Sequence, residues 1–207
     1  MHARSTTLMA DPTRLDAGIA DVRDRVLPAV SEMDGCVGLS MLCDRDSGRC
    51  IVTTAWESEE AMAATSEGVR RMRERAAEQF GAPAPEVREW EIAAMHRLNP
   101  VGDDACARVT WSRVDPATVD RVLHEFRTDL VPRMDEMAGF CSLSLLLDRR
   151  TGDNSLTAVY ADRRSMAASR QRAMYLRDEF RRRLRMSATD VAEFDVVLHH
   201  LRVPELV

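Results

Sequence analysis

The sequence predicts an α+β fold: two tandem ferredoxin-like βαββαβ modules that pair within one chain to form an α+β barrel. Three observations predict it. The second half reads back the first at an offset of 104, as in Asp11-Pro12 and Asp115-Pro116. Each half carries strand and helix signals in the order βαββαβ. Each such sheet would hold helices on one face only and leave the other bare, and a second copy on the same chain is the natural cover.

The repeat is densest between Pro28 and Gly48. There Pro28/Pro132, Glu32/Glu136, Met33/Met137, Gly35/Gly139, Leu39/Leu143, Ser40/Ser144, Leu42/Leu146, Asp44/Asp148, Arg45/Arg149 and Gly48/Gly152 give ten identities in 21 ungapped positions. Ala3-Arg4 matches Ala107-Arg108, Met62-Ala63-Ala64 matches Met166-Ala167-Ala168, and Glu89 matches Glu193. Aromatics coincide at Trp56/Tyr160 and Trp90/Phe194. A period this long is a domain duplication and not a solenoid repeat. The joint falls near Asn99-Pro100-Val101-Gly102-Asp103-Asp104, which has linker composition, giving modules 1–100 and 101–207.

Each copy opens with a short strand, Ser5–Met9 or Cys106–Trp111. Asp11-Pro12 and Asp115-Pro116 then supply an N-cap and a proline at the first helical position. Leu15, Ile19, Val22, Val26, Val30 and Met33 recur at steps of three and four, one buried helix face; Val119, Val122, Phe126, Leu130, Met134 and Met137 repeat it. Pro28 and Pro132 should kink these helices, because each removes an i→i−4 bond, and Gly35 and Gly139 should end them. A hairpin follows, with Leu39, Met41 and Cys43 alternating with Ser40 and Leu42 around the turn Asp44–Gly48. Ser58 and Asp162 cap one further helix in each copy, and a last strand runs Val87–Leu98 or Val191–Leu201.

Composition sets limits on function. Of 207 residues, 45 % are hydrophobic and 30 % charged, ordinary for a globular protein. All 29 basic residues are arginine and the net charge is −5, which argues against nucleic acid as a partner. No apolar run approaches the roughly 18 residues of a membrane span. Without a secretory signal in the opening residues, the odd set Cys36, Cys43, Cys50, Cys106 and Cys141 fits free thiols in a cytoplasm. Cys43 and Cys50 flank the hairpin turn and are placed to face each other. No Cys/His spacing suits zinc and no Gly-rich loop suits a nucleotide.

The segment Pro28…Gly35…Leu39…Asp44…Gly48…Trp56-Glu57-Ser58-Glu59-Glu60-Ala61-Met62 resembles the antibiotic-biosynthesis monooxygenase (ABM-like) domain of the dimeric α+β barrel superfamily, once per half. The resemblance implies a small-molecule ligand, a pseudo-dimer within one chain open to further self-association, and chemistry without a cofactor. One implied activity is a monooxygenase acting on an aromatic or polyketide-type substrate; the other is a non-catalytic metabolite-binding or interaction module. Haem-degrading members of the superfamily carry a histidine on the second helix. Glu59–Phe80 and Arg163–Arg185 have none, which argues against haem.

Candidate site residues come in equivalent pairs. His96 and His200, near the ends of the last strands, are the candidate general bases, since imidazole titrates near neutrality. The plainer reading is a pair of surface or interface histidines at strand ends. Trp56 and Tyr160 are candidate walls for a flat ligand, or packing at the start of the second helix. Trp90 and Phe194 are further aromatic ligand contacts. Ser40 and Ser144 either line a cavity with hydroxyls or let two sheets approach.

Overall fold

The computed structural model describes residues 1–82 and 84–207, with the side chains of residues 188 and 189 left aside. The first repeat runs β1 (His2–Met9), α1 (Leu15–Asp21), α2 (Leu27–Ser31), β2 (Cys36–Cys43), β3 (Arg49–Trp56), α3 (Glu59–Ala64), α4 (Ser66–Phe80) and β4 (Glu86–Arg97). The second runs β5 (Cys106–Arg113), α5 (Val119–Glu125), α6 (Val131–Asp135), β6 (Phe140–Leu147), β7 (Asp153–Tyr160), α7 (Arg163–Leu184) and β8 (Ser187–Leu201). Hydrogen bonding orders the strands β1-β3-β2-β8-β5-β7-β6-β4 in a closed barrel. Each repeat thus has the ferredoxin-like order, β4-β1-β3-β2 and β8-β5-β7-β6, and the α+β fold is the one the duplication predicts.

The chain forms two compact units. One is Met1–Trp90 with Asp195–Val203; the other is Glu91–Phe194 with Pro204–Val207. The end of β8 pairs with β2 in the first unit, from Gly38↔Leu201 to Cys43↔Asp195. The end of β4 pairs with β6 in the second, from Glu91↔Leu147 to Arg97↔Ser142. Each repeat therefore lends the end of its last strand to the other repeat's sheet.

Local chemistry explains the helices. Asp11 and Asp115 accept from the backbone N–H groups of Thr13 and Ala117, as N-caps should. The prolines act through a wider turn. Immediately before them, Val22–Val26 and Phe126–Leu130 are π-helical, and the Leu27 and Val131 N–H groups donate to Val22 and Phe126 five residues back. A π turn shifts the backbone register, so a proline ring sits in the helix with less lost bonding. Ser58 and Asp162 cap the second helices through Ala61 and Ser165.

The second helix differs between the copies. It is continuous in α7 but broken at Thr65 between α3 and α4. There the Thr65 hydroxyl donates back to the Ala61 and Met62 carbonyls at 3.0 and 3.1 Å. Such back-bonding competes with the helical ladder.

The first unit's core joins Leu8, Leu15, Val22, Leu39, Met41, Cys43, Cys50, Phe80 and Leu198. Cys43 and Cys50 do face each other across the hairpin, Sγ to Sγ 2.8 Å, both fully buried free thiols. The bond to Cys50, then burial, pushes the Cys43 thiol far above its ordinary range. The second unit's core includes a packed cluster of Phe126, Leu130, Met134, Phe140, Leu143, Tyr160 and Phe180.

Candidate active site

In the first unit one face of the sheet carries Arg4, Thr6 and Leu8 on β1, Leu39 on β2, and Val52 and Thr54 on β3. The register aligns Arg4 with Thr54, Thr6 with Val52, and Leu39 with Thr54. Val22, Val26 and Val30 face it from the first helical segment, and Val69, Met72, Arg73, Ala76 and Phe80 from α4. Together they line a partly enclosed cavity of about 40 Å³. It takes more than one water by volume. Its walls are aliphatic, and its polar groups are two guanidiniums and two hydroxyls.

Arg4 is the unusual member. A charged side chain on a buried strand face is costly unless paired. Its side chain is 4 % exposed. Nε and Nη2 donate to Glu89 Oε1 at 2.9 and 2.7 Å, and Nη2 also donates to the Met62 carbonyl at 3.0 Å. The remaining nitrogen, Nη1, is buried with no hydrogen-bond partner among the described residues. Arg73 lines the same cavity. Burial, then the nearby Arg4 charge, holds its guanidinium below the ordinary arginine value.

The second copy solves the same problem differently. Arg108 binds Glu193 and the Met166 carbonyl in the same way, at 2.8–3.0 Å. Its Nη1, however, donates to Ser169 Oγ at 3.1 Å. Ser169 stands where Thr65 stands in the first copy; it accepts from Arg108 while donating its own hydroxyl to the Met166 carbonyl at 2.8 Å. Glu193 takes a further bond from Arg170 at 2.8 Å. Burial raises the Glu193 carboxyl, but the Arg108 and Arg170 bonds outweigh it and leave the pKa lowered. The wall positions also change. Val22, Val26, Val30, Val52 and Ala76 correspond to Phe126, Leu130, Met134, Leu156 and Phe180, all within or against one packed cluster. Phe80 shrinks to Leu184 in return, and the 104 offset also takes Gly18, whose absent Cβ makes room for Phe80, to Val122.

The residues singled out from sequence fall mostly outside the cavity. Trp56 is fully buried in a cluster with Val30, Met62 and Val69, and its Nε1 donates to Thr54 Oγ1 at 3.1 Å, so it stands behind the wall. Tyr160 is fully buried, edge-on to Phe140, with its hydroxyl 3.8 Å from the Met137 sulfur. Trp90 donates to Ser5 Oγ at 2.8 Å, and Phe194 packs edge-on to Trp111. Ser40 pairs with Thr53 and His199, one residue out of phase with cavity-lining Leu39, and so lies on the opposite sheet face. Ser144 pairs with Thr157 and Met95. His200 is exposed, its ring parallel to that of His199.

His96 is held on both sides, Nδ1 2.6 Å from Glu205 and Nε2 2.8 Å from Asp135. Burial disfavours its charge, but the two carboxylates prevail and raise its pKa above the ordinary imidazole value. The folded state therefore binds this proton more tightly than the unfolded chain does. Its contribution to stability is full below about pH 6.5 and is lost as pH rises through the raised folded value. His96→Gln should accordingly destabilise more at pH 6 than at pH 9, read from urea midpoints at the two pH values. An equal loss at both would show that His96 is not charged in the fold.

Among the described residues, no group of three or more His, Cys, Asp and Glu side chains is arranged to hold a metal ion. The cavity lining also has no histidine, cysteine or tyrosine to ligate haem iron. Haem does not fit here. Among the same residues no helix is long and apolar enough to cross a membrane.

Comparison with known proteins gives the same outline. The family model described as antibiotic biosynthesis monooxygenase matches residues 1–75. The uncharacterized protein Rv2558 of Mycobacterium tuberculosis is 47 % identical over all of this chain and 88 % of its own length. The uncharacterized protein Rv2557 of the same organism is 45 % identical over all of this chain and 92 % of its own. Among solved structures, an anthrone oxidase-like protein superposes with a TM-score of 0.66 at 17 % identity, over 96 % of this chain and 92 % of that one. At that identity the likeness is one of fold.

Proposed function

Because the chain belongs to the antibiotic biosynthesis monooxygenase family, we propose that the partly open cavity of its first repeat takes in one edge of a small aromatic or polyketide-type molecule and lets it react with dioxygen without a cofactor. The observation that carries this reading is the cavity itself, aliphatic on most sides with cationic groups at one place. Such a site favours a substrate that has lost a proton, because nearby positive charge lowers the pKa of an acidic C–H or O–H. The resulting carbanion adds to dioxygen, the peroxide anion so formed takes a proton to become a hydroperoxide, and loss of water leaves a ketone. One methylene and one dioxygen yield one carbonyl and one water.

The chain's own part is to desolvate the substrate, orient it, and stabilise its anion. The lining carries no carboxylate or imidazole, so the proton leaves to solvent. The same lack favours a second reading, a non-catalytic metabolite-binding module of this fold.

Oxygen consumption with a panel of anthrones and quinols separates the two. Turnover is expected for the whole chain. It should persist in a His96→Gln/His200→Gln double variant, whose target side chains lie outside the cavity lining, and should vanish in Val22→Phe, which narrows the cavity. Binding without oxygen uptake across the panel would select the non-catalytic module. Loss of turnover in a folded double-histidine variant would return the base role to those residues.

A further inference from the structure

We propose that Cys43 and Cys50 form a site of reversible oxidation, at which a small-molecule disulfide converts the two thiols into one cross-strand disulfide that closes the β2–β3 hairpin of the first repeat. The proposal is independent of what the cavity takes in.

Strand register carries it. Cys43 lies opposite Cys50 as the last pair of β2 and β3 before the turn. The Asp44 N–H donates to the Arg49 carbonyl at 2.8 Å, so those two residues are a hydrogen-bonded pair. Cys43 and Cys50, next along the ladder, are therefore a non-hydrogen-bonded pair. Such a pair holds its Cα atoms about 4.5 Å apart with the side chains close together, which is within the span a disulfide bridges. The two sulfurs already stand 2.8 Å apart. Closing them by under about 1 Å reaches the length of an S–S bond. Cys106 and Cys141 instead turn their sulfurs to the carbonyls of Asp104 and Gly139, at 3.5 and 3.6 Å.

The second repeat shows what else can stand at this place. The 104 offset takes Cys43 and Cys50 to Leu147 and Asn154, and Leu8, opposite Cys50, to Ser112. There the buried Asn154 accepts from Ser112 Oγ at 2.6 Å and donates to the Gly152 carbonyl at 3.2 Å, which ties two strands to the turn. In the first repeat the side-chain link at the same place is the thiol contact, set in an apolar cluster with Leu8, Met41 and Phe80.

The chemistry is thiol–disulfide exchange. One thiolate attacks the oxidant's S–S bond, forming a mixed disulfide and releasing one small thiol. The second attacks the mixed disulfide and releases the other. Two electrons and two protons pass from the protein to the oxidant, so one S–S bond is exchanged for another. The contact with Cys50, then burial, keeps the Cys43 thiol protonated while the hairpin is closed. Exchange therefore runs through opening at the turn, where Arg45, Asp46 and Ser47 are exposed.

The test equilibrates the whole chain in glutathione buffers of graded ratio. Refolding from urea into each buffer removes the limit of access, and a parallel series stays in urea. Free thiols in the folded chain should fall from five to three, and excess dithiothreitol should restore five. Trypsin cuts after Arg45 and Arg49, so the link should appear as peptide 26–45 joined to peptide 50–70, and Cys36→Ala should give the same link. A pair preset by the fold should be half oxidised at a ratio at least about tenfold more reducing than the same pair in urea. Five thiols at every ratio, a link through Cys36, Cys106 or Cys141, glutathione adducts in place of the link, or a midpoint no more reducing than in urea would each overturn the proposal.

Discussion

Gly38→Ala is expected to destabilise the protein by about 4 kcal/mol, combining a strained backbone with a steric clash. Gly38 has φ +132°, a conformation L side chains rarely adopt. A Cβ built there would lie 1.9 Å from the His200 carbonyl oxygen and 2.9 Å from its carbon. Those are backbone atoms of the strand that Gly38 pairs with, at Gly38↔Leu201, next to a bulge in β2. No side-chain rotation relieves the contact, so the strand pair must part. Urea unfolding should show a lower midpoint with an unchanged slope. Gly102→Ala, where an added Cβ meets nothing within 4 Å, is the control and should be close to neutral. A Gly38→Ala midpoint equal to that of Gly102→Ala would mean that β2 and β8 are not paired as described.

Glu89→Ala is expected to cost about 3 kcal/mol, because it strands a buried cation. The pair is lopsided: Arg4 is 4 % exposed and Glu89 55 % exposed. Removing the carboxylate thus leaves the costly member behind, with the Met62 carbonyl as its remaining acceptor. Glu89→Gln keeps a neutral acceptor and should recover part of the loss. Thermal melts of the two variants and the parent read the effect. A Glu89→Ala protein as stable as the parent would show that the ion pair contributes nothing.

The fold was legible in the sequence because its signals are local and occur twice. The Asp-Pro caps, the helix periodicity, the hairpin glycines and the Ser58 and Asp162 caps each name a conformation from a few residues, and the 104 offset repeats the statement. The π turns before Pro28 and Pro132 were not legible, since they depend on how the chain rearranges its bonding around a missing N–H. Nor was the break at Thr65, where the hydroxyl reaches the Ala61 carbonyl as well as Met62, while Ser169 bonds the equivalent Met166 carbonyl in an unbroken helix.

The candidate site was read less well, for a physical reason. Sequence reasoning favoured histidines and aromatics, residue types with versatile chemistry. A cavity, though, is defined by what is small, and Val22, Val26 and Ala76 announce nothing alone. The useful signal was the coincidence of Arg4/Arg108 with Glu89/Glu193. A buried-strand arginine kept through duplication together with an acid at a fixed offset implies an ion pair. Finding the unpartnered nitrogen required coordinates, because it turns on one hydroxyl.

The lent strand ends bear on how the chain can be divided. A fragment stopping at the inter-repeat linker would keep β2 but lose the segment 195–201 that covers its hydrogen-bonding edge, and would itself carry 91–97 with no β6 to receive it. Both are open edges that recruit other chains. Two such fragments could complete each other by reciprocal exchange, so a gene encoding one repeat would yield a domain-swapped assembly, and the covalent duplication turns that exchange into a property of one polypeptide.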